Sequence, residues 1–193
     1  MAEVAGPRIL YLHGFCSSPA SWKARLLGDH LAAAGLADRF VCPALPPAPF
    51  AAIADAEALL ASADGPTTLV GSSLGGYYAA WLAEKHDLRA VLINPAVMAP
   101  VLLGGLVGTQ TNFHSGENFE FTTEHVEQLR SLETTSVTPA RYLLLVETGD
   151  AVLDYRRAVE RYAGSRQIVI EGGDHSFTHF PELMPQIIEF CGL

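Results

Sequence analysis

Short apolar runs recur along the chain, separated by longer stretches in which apolar and polar residues mix. The clearest runs lie at 8–12 (RILYL), 67–70, 90–93 and 141–147, where nearly every position is apolar or β-branched. Such runs predict strands covered on both faces, as in a parallel sheet. Weaker strands are predicted at 39–42 and 167–170. Between them the pattern predicts helices at about 21–34 (stopped by Gly35), 50–63, 74–85, 154–163 and 181–191. Strand and helix alternate, which predicts an α/β fold with a mostly parallel central sheet, right-handed crossovers and helices on both faces. Ligands bind beyond the carboxyl ends of the strands in such sheets. Side chains with useful chemistry should therefore sit just after the strands.

Two stretches depart from the alternation. The segment 42–49 holds four prolines and reads as a loop, because they cannot share a helix or a central strand. The segment 95–139 is long, rich in glycine and polar residues, and only 123–132 reads as a helix. Its length predicts a lid or binding loop, with a surface insertion over a small satellite core as the alternative.

The chain has 193 residues, which suits a single domain spanning 1–193, with 95–139 as the inserted cap. Hydrophobic residues make up 49% and charged residues 17%, which excludes disorder as the main state. Twelve Lys and Arg stand against 21 Asp and Glu, a net charge of -9 with no basic run, which argues against a nucleic-acid partner. Cys16, Cys42 and Cys191 form no CxxC pair, so neither a zinc knuckle nor a redox motif is written. The apolar run 9–12 is too short for a signal peptide or membrane span, so a cytoplasmic protein without membrane attachment is expected. The histidines show no HExxH spacing, and neither a metal nor a cofactor is expected.

Gly71-Ser72-Ser73-Leu74-Gly75 matches G-x-S-x-G, with Ser73 at its centre. With 17 Gly and 11 Ser, chance gives roughly 0.08 such matches in a chain of this composition. The setting sharpens the signal, because the motif follows a buried strand and opens a helix. A tight strand-to-helix turn lifts the Ser73 hydroxyl clear of the sheet and aims the helix N-terminus at a reacting carbonyl. Ser72 lacks the flanking glycine spacing. A serine hydroxyl needs a base. His175 lies in the loop after the last predicted strand and can reach back across the sheet top; His179 is the nearest rival. The base in turn needs an orienting carboxylate. Asp150 follows the strand 141–147, giving the chain order Ser73, Asp150, His175; Asp154 and Asp174 are the other candidates. The backbone N–H groups of Phe15 and Leu74 are the expected oxyanion donors. Cys16 is a competing nucleophile, but no histidine is as well placed for it. His13, Tyr77, Phe113 and Phe119 are candidate substrate contacts, the aromatics as parts of an apolar acyl pocket.

Together, His13-Gly14-Phe15, the elbow from Gly71 to Gly76, Thr148-Gly149-Asp150 and Gly173-Asp174-His175 resemble an α/β-hydrolase. More narrowly, Tyr11-Leu12-His13-Gly14-Phe15, Ser17-Ser18-Pro19, the run from Thr148 to Tyr155 and Gly116-Glu117-Asn118-Phe119 resemble the small YqiA/UPF0227 esterase family. The resemblance spans nearly the whole chain. It implies the α/β-hydrolase fold with a cap reduced to 95–139. It also implies an esterase or thioesterase acting on acyl esters through Ser73, Asp150 and His175. An acyltransferase using the same acyl-enzyme, and a silent binding module on the same fold, are the alternatives.

Overall fold

The computed structural model describes residues 6–193. In chain order the elements are β1 (Arg8–Leu12), α1 (Trp22–Ala33), β2 (Phe40–Val41), α2 (Pro49–Ala61), β3 (Thr67–Ser72), α3 (Leu74–His86), β4 (Arg89–Ile93) and α4 (Ala99–Gly104). They continue with β5 (Gly108–Thr111), β6 (Asn118–Phe121), α5 (Thr123–Ser131), β7 (Tyr142–Glu147), α6 (Tyr155–Arg161), β8 (Arg166–Ile170) and α7 (Phe180–Cys191). Six strands form one sheet in the order β2-β1-β3-β4-β7-β8, every pair parallel. The chain leaves β1 for β2 on one side and returns to β3 on the other. The loops after β1 and β3 therefore diverge and open a crevice at the carboxyl edge, the ligand position expected of such a switch point.

Alternation along the strands sorts the core into two layers. Leu10, Leu12, Leu69, Leu92 and Leu144 face the layer of α2, α3, α5 and α6, while Ile9, Tyr11, Val70, Val91 and Leu143 face α1 and α7. Helix α3 is apolar almost all round and buried from Leu74 to Ala80, as its place between sheet, α2 and α5 requires. No helix among the described residues is long and apolar enough to cross a membrane.

The segment 95–139 holds more order than its sequence announces. Beyond the expected helix it forms α4 and the antiparallel hairpin β5–β6, paired from Gly108–Phe121 to Thr111–Asn118. Four contacts pin the hairpin to the loop after β1. The Phe15 ring meets Phe121 and Phe119 edge-on at centroid distances of 5.0 and 5.8 Å. The Asn112 side-chain amide donates to the Ser17 carbonyl at 2.8 Å, and the Phe113 N–H to the Cys16 carbonyl at 2.8 Å.

Candidate active site

Ser73 joins β3 to α3 with φ 55° and ψ -118°, a region that costs a non-glycine residue about 1–3 kcal/mol. Backbone bonds on both sides hold it there. Its N–H donates to the Ile93 carbonyl at 3.0 Å, and its carbonyl accepts from the N–H groups of Gly76 and Ala96, each at 3.0 Å. Only glycine fits the neighbouring positions. A Cβ on Gly71 would collide with the Gly75 carbonyl, and one on Gly75 with the Leu12 carbonyl. The bare backbone at these two points lets α3 press against β1 and β3 closely enough to force the turn.

The structure brings Ser73, His175 and Asp150 together from three strand ends. The Ser73 Oγ lies 3.1 Å from Nε2 of His175, and Nδ1 of His175 lies 2.7 Å from Oδ2 of Asp150. A carboxylate only accepts, so Nδ1 carries the proton and the Nε2 lone pair faces the serine hydroxyl. Oδ1 of Asp150 accepts from the N–H groups of Val152 and Leu153, both at 2.8 Å. The Asp150 side chain is buried, which works to raise its pKa. The hydrogen bonds from His175, Leu153 and Val152 outweigh that burial and hold the carboxyl below its ordinary value.

The loop carrying His175 is itself braced from beneath. Glu147, the last residue of β7, is fully buried. Its Oε2 accepts from the N–H groups of Asp174 at 2.6 Å and Thr178 at 3.2 Å. Its Oε1 accepts from the His179 N–H and Nδ1, both at 2.8 Å. Burial raises the Glu147 pKa, but the bonds from His179, Asp174 and Thr178 bring it below the ordinary glutamate value. Asn94 adds a second brace, donating to the Asp174 carbonyl at 3.0 Å and accepting from the Glu147 N–H at 3.0 Å. Lys23 of α1 adds a third, its Nζ donating to the Ser176 carbonyl at 2.7 Å. Burial lowers the Lys23 pKa to about 8, against the attraction of Asp174, Glu147 and Asp150.

A cleft of about 240 Å³ opens beside the serine, between the loop after β1, the proline-rich loop and the β5–β6 hairpin. Gly14 and Leu74 form its inner edge and flank Ser73, with a Cβ on Gly14 falling 3.3 Å from the Ser73 Cβ. Phe15 and Leu74, the expected oxyanion donors, both line it. As the first residue of α3, Leu74 has an N–H without an intrahelical acceptor.

The expected substrate contacts divide. Phe119 lines the cleft. His13 lines it too, but both ring nitrogens are engaged by backbone: Nδ1–H donates to the Gly14 carbonyl at 3.0 Å, and Nε2 accepts the Leu45 N–H at 3.1 Å. Burial lowers the His13 pKa, in keeping with that neutral form. Tyr77 points away into the core, where its hydroxyl donates to the Leu129 carbonyl at 2.7 Å. The next residue, Tyr78, lines the cleft in its place. Phe113 is 80% exposed at the hairpin tip and is not among the lining residues.

The competing candidates serve elsewhere. His179 bonds to Glu147. Asp154 caps α6 through the Arg156 N–H, and Asp174 accepts the Ser176 N–H. Burial raises the Cys16 thiol above its ordinary pKa, away from the reactive thiolate. No three His, Cys, Asp or Glu side chains among the described residues come together as a metal site. Glu147, Asn94 and Lys23 carried no sequence signal as site residues, because each acts mainly on backbone groups of a distant loop.

The model of the "Uncharacterised protein family (UPF0227)" matches residues 8–192. Among solved structures, the chain is similar to the mouse alpha/beta hydrolase domain-containing protein 10, with a TM-score of 0.74 at 18% identity, covering 100% of this chain and 91% of that one. It is similar to Est1E from Butyrivibrio proteoclasticus, with a TM-score of 0.70 at 16% identity over 98% and 88% of the two chains. It also resembles the monoacylglycerol lipase of Paleococcus ferrophilus, with a TM-score of 0.66 at 16% identity over 95% and 93%. These likenesses establish the α/β-hydrolase fold.

Proposed function

We propose that this chain, which belongs to the UPF0227 family, is a serine hydrolase that cleaves carboxylic esters or thioesters of acyl substrates. The observation that carries the reading is the unbroken line of hydrogen bonds from the Ser73 hydroxyl through His175 to Asp150, at 3.1 and 2.7 Å. The elbow strain at Ser73 and its place at the N-terminus of α3 support it.

In this reading Ser73 Oγ attacks the substrate carbonyl carbon while its proton passes to Nε2 of His175. The carbonyl oxygen gains the negative charge and is met by the N–H groups of Phe15 and Leu74, each donor worth about 3–4 kcal/mol of barrier in this kind of chemistry. The tetrahedral intermediate collapses as His175 returns the proton to the leaving alkoxide or thiolate. Water then repeats the sequence on the acyl-enzyme and releases the acid. Asp150 keeps Nδ1 protonated and stabilises the imidazolium formed in each half. The segment 95–139 acts as a reduced cap, since Asn112, Glu117, Asn118 and Phe119 border the cleft.

The test is turnover of para-nitrophenyl acetate by Ser73→Ala. Removing the nucleophile should lower kcat by on the order of 10⁴–10⁶ with the circular dichroism spectrum unchanged. Turnover near the wild-type rate by the folded variant would refute the assignment.

A further inference from the structure

A second concavity, of about 310 Å³, lies between the segments that leave β4 and β7, strands that follow β3 in the sheet on the side away from β1. One wall is the start of the cap, with Val97, Met98, Val101 and Leu102; the other is Val152 and Leu153. Both walls are tied to the reacting groups. The N–H of Ala96, between the wall residues Pro95 and Val97, bonds to the Ser73 carbonyl at 3.0 Å. The N–H groups of Val152 and Leu153 hold the Asp150 carboxylate. The groove therefore begins where the nucleophile and the acid of the proposed triad are anchored. Its apolar character is costly to leave in water: Val101 is 69% and Val152 62% exposed. Its outer end is marked by Asp154 and Arg157.

The two concavities differ in chemistry. The cleft mixes Ser17, Ser18, Asn112 and Glu117 with Phe15 and Leu45, which suits a substrate arm that carries polar groups as well as carbon. The groove walls offer no polar side chain until the charged end. An ester has two arms diverging from its carbonyl carbon, and Ser73, at the end of β3, lies between the loop after β1 that lines the cleft and the segments after β4 and β7 that line the groove. We propose that the groove between α4 and the 150–154 loop holds the hydrocarbon arm of the ester, so that the preferred substrates carry an aliphatic chain of medium length. The charged end sets the limit, since a longer chain would place methylenes against Asp154 and Arg157. The inference rests on the serine-hydrolase reading and adds to it the class of substrate.

The experiment uses two ester series with the full-length protein. Para-nitrophenyl acylates from acetate to dodecanoate vary the acyl arm, and alkyl acetates vary the alcohol arm. Each methylene moved fully out of water is worth up to about fourfold in kcat/KM. The wild-type protein should favour a medium chain over the shortest ester by about tenfold or more in one of the series, and that series identifies the arm. Val101→Glu, at an exposed position, should cut this ratio by about tenfold. Val169→Glu, an exposed apolar-to-acidic change on β8 outside the groove lining, should leave it as in the wild type. Ratios near one in both series, or a ratio that Val101→Glu and Val169→Glu affect equally, would overturn the groove while leaving the serine-hydrolase reading intact. No turnover of any ester would overturn both.

Discussion

Replacing Glu147 by glutamine changes one atom and one charge, yet it should weaken both the fold and the reaction. The carboxylate lies at 0% exposure and receives three backbone N–H groups and one imidazole N–H. All four are donors. A glutamine has one acceptor oxygen, and its amide N–H would face donors wherever it turned. At least one backbone N–H of the His175 loop is then left unpaired in the interior. Hydrogen bonds to a charged acceptor are worth about 1.5–3 kcal/mol, and breaking a buried charged network by removing one partner costs about 3–5 kcal/mol. We therefore expect Glu147→Gln to lose about 3–5 kcal/mol, seen as a Tm lower by about 6–20 °C in a domain of this size. The sign with pH is fixed by the direction of the pKa shift. Burial pushes the carboxyl up and its hydrogen bonds bring it below the ordinary 4.5. Its stabilisation is thus fully present above that value and is lost as pH falls through the folded-state value. The variant should accordingly show a smaller loss of Tm on acidification than the wild type. Thermal unfolding followed by circular dichroism at neutral and acid pH measures both effects. A variant within 0.5 kcal/mol of the wild type at neutral pH would refute the bracing role. Because the braced loop carries His175, kcat should fall with little change in KM.

Two further outcomes follow from the geometry. Asp150→Asn keeps the shape but places a donor or a neutral acceptor against Nδ1, so kcat for an ester should fall by on the order of 10⁴ while the protein stays folded. Steady-state kinetics beside a melting curve check this. Ser73→Gly removes the side-chain strain of a positive φ, so it should be more stable than Ser73→Ala by about 1 kcal/mol although both are inactive. Urea unfolding of the pair reads that difference, and equal midpoints would contradict the strain.

Much of this site is legible along the chain because each of its three central residues follows a strand, and parallel strands end on one edge. Ser73, Asp150 and His175 could be placed without knowing any distance. What the sequence hides has physical causes. Tyr77 and Tyr78 are indistinguishable by periodicity, because α3 is buried on nearly every side and offers no polar face to set its rotation. The hairpin β5–β6 has strands of only four residues with exposed polar positions, and a loop between them too long for a two-residue turn signal. Helix α4 has six residues, too few for a repeat to declare itself. Glu147 ends an apolar strand, and its partners arrive 27 to 32 residues later in a loop whose path no local pattern fixes.

In the proposed mechanism the Ser73 oxygen is made nucleophilic by its neighbours. Reaction with a fluorophosphonate, followed by intact mass and peptide mapping, tests this directly. One phosphonyl group per chain is expected, attached to Ser73, with labelling lost in Ser73→Ala and strongly slowed in His175→Ala. An unlabelled wild-type protein, or an adduct on Ser72 or Cys16 with Ser73 unmodified, would contradict it.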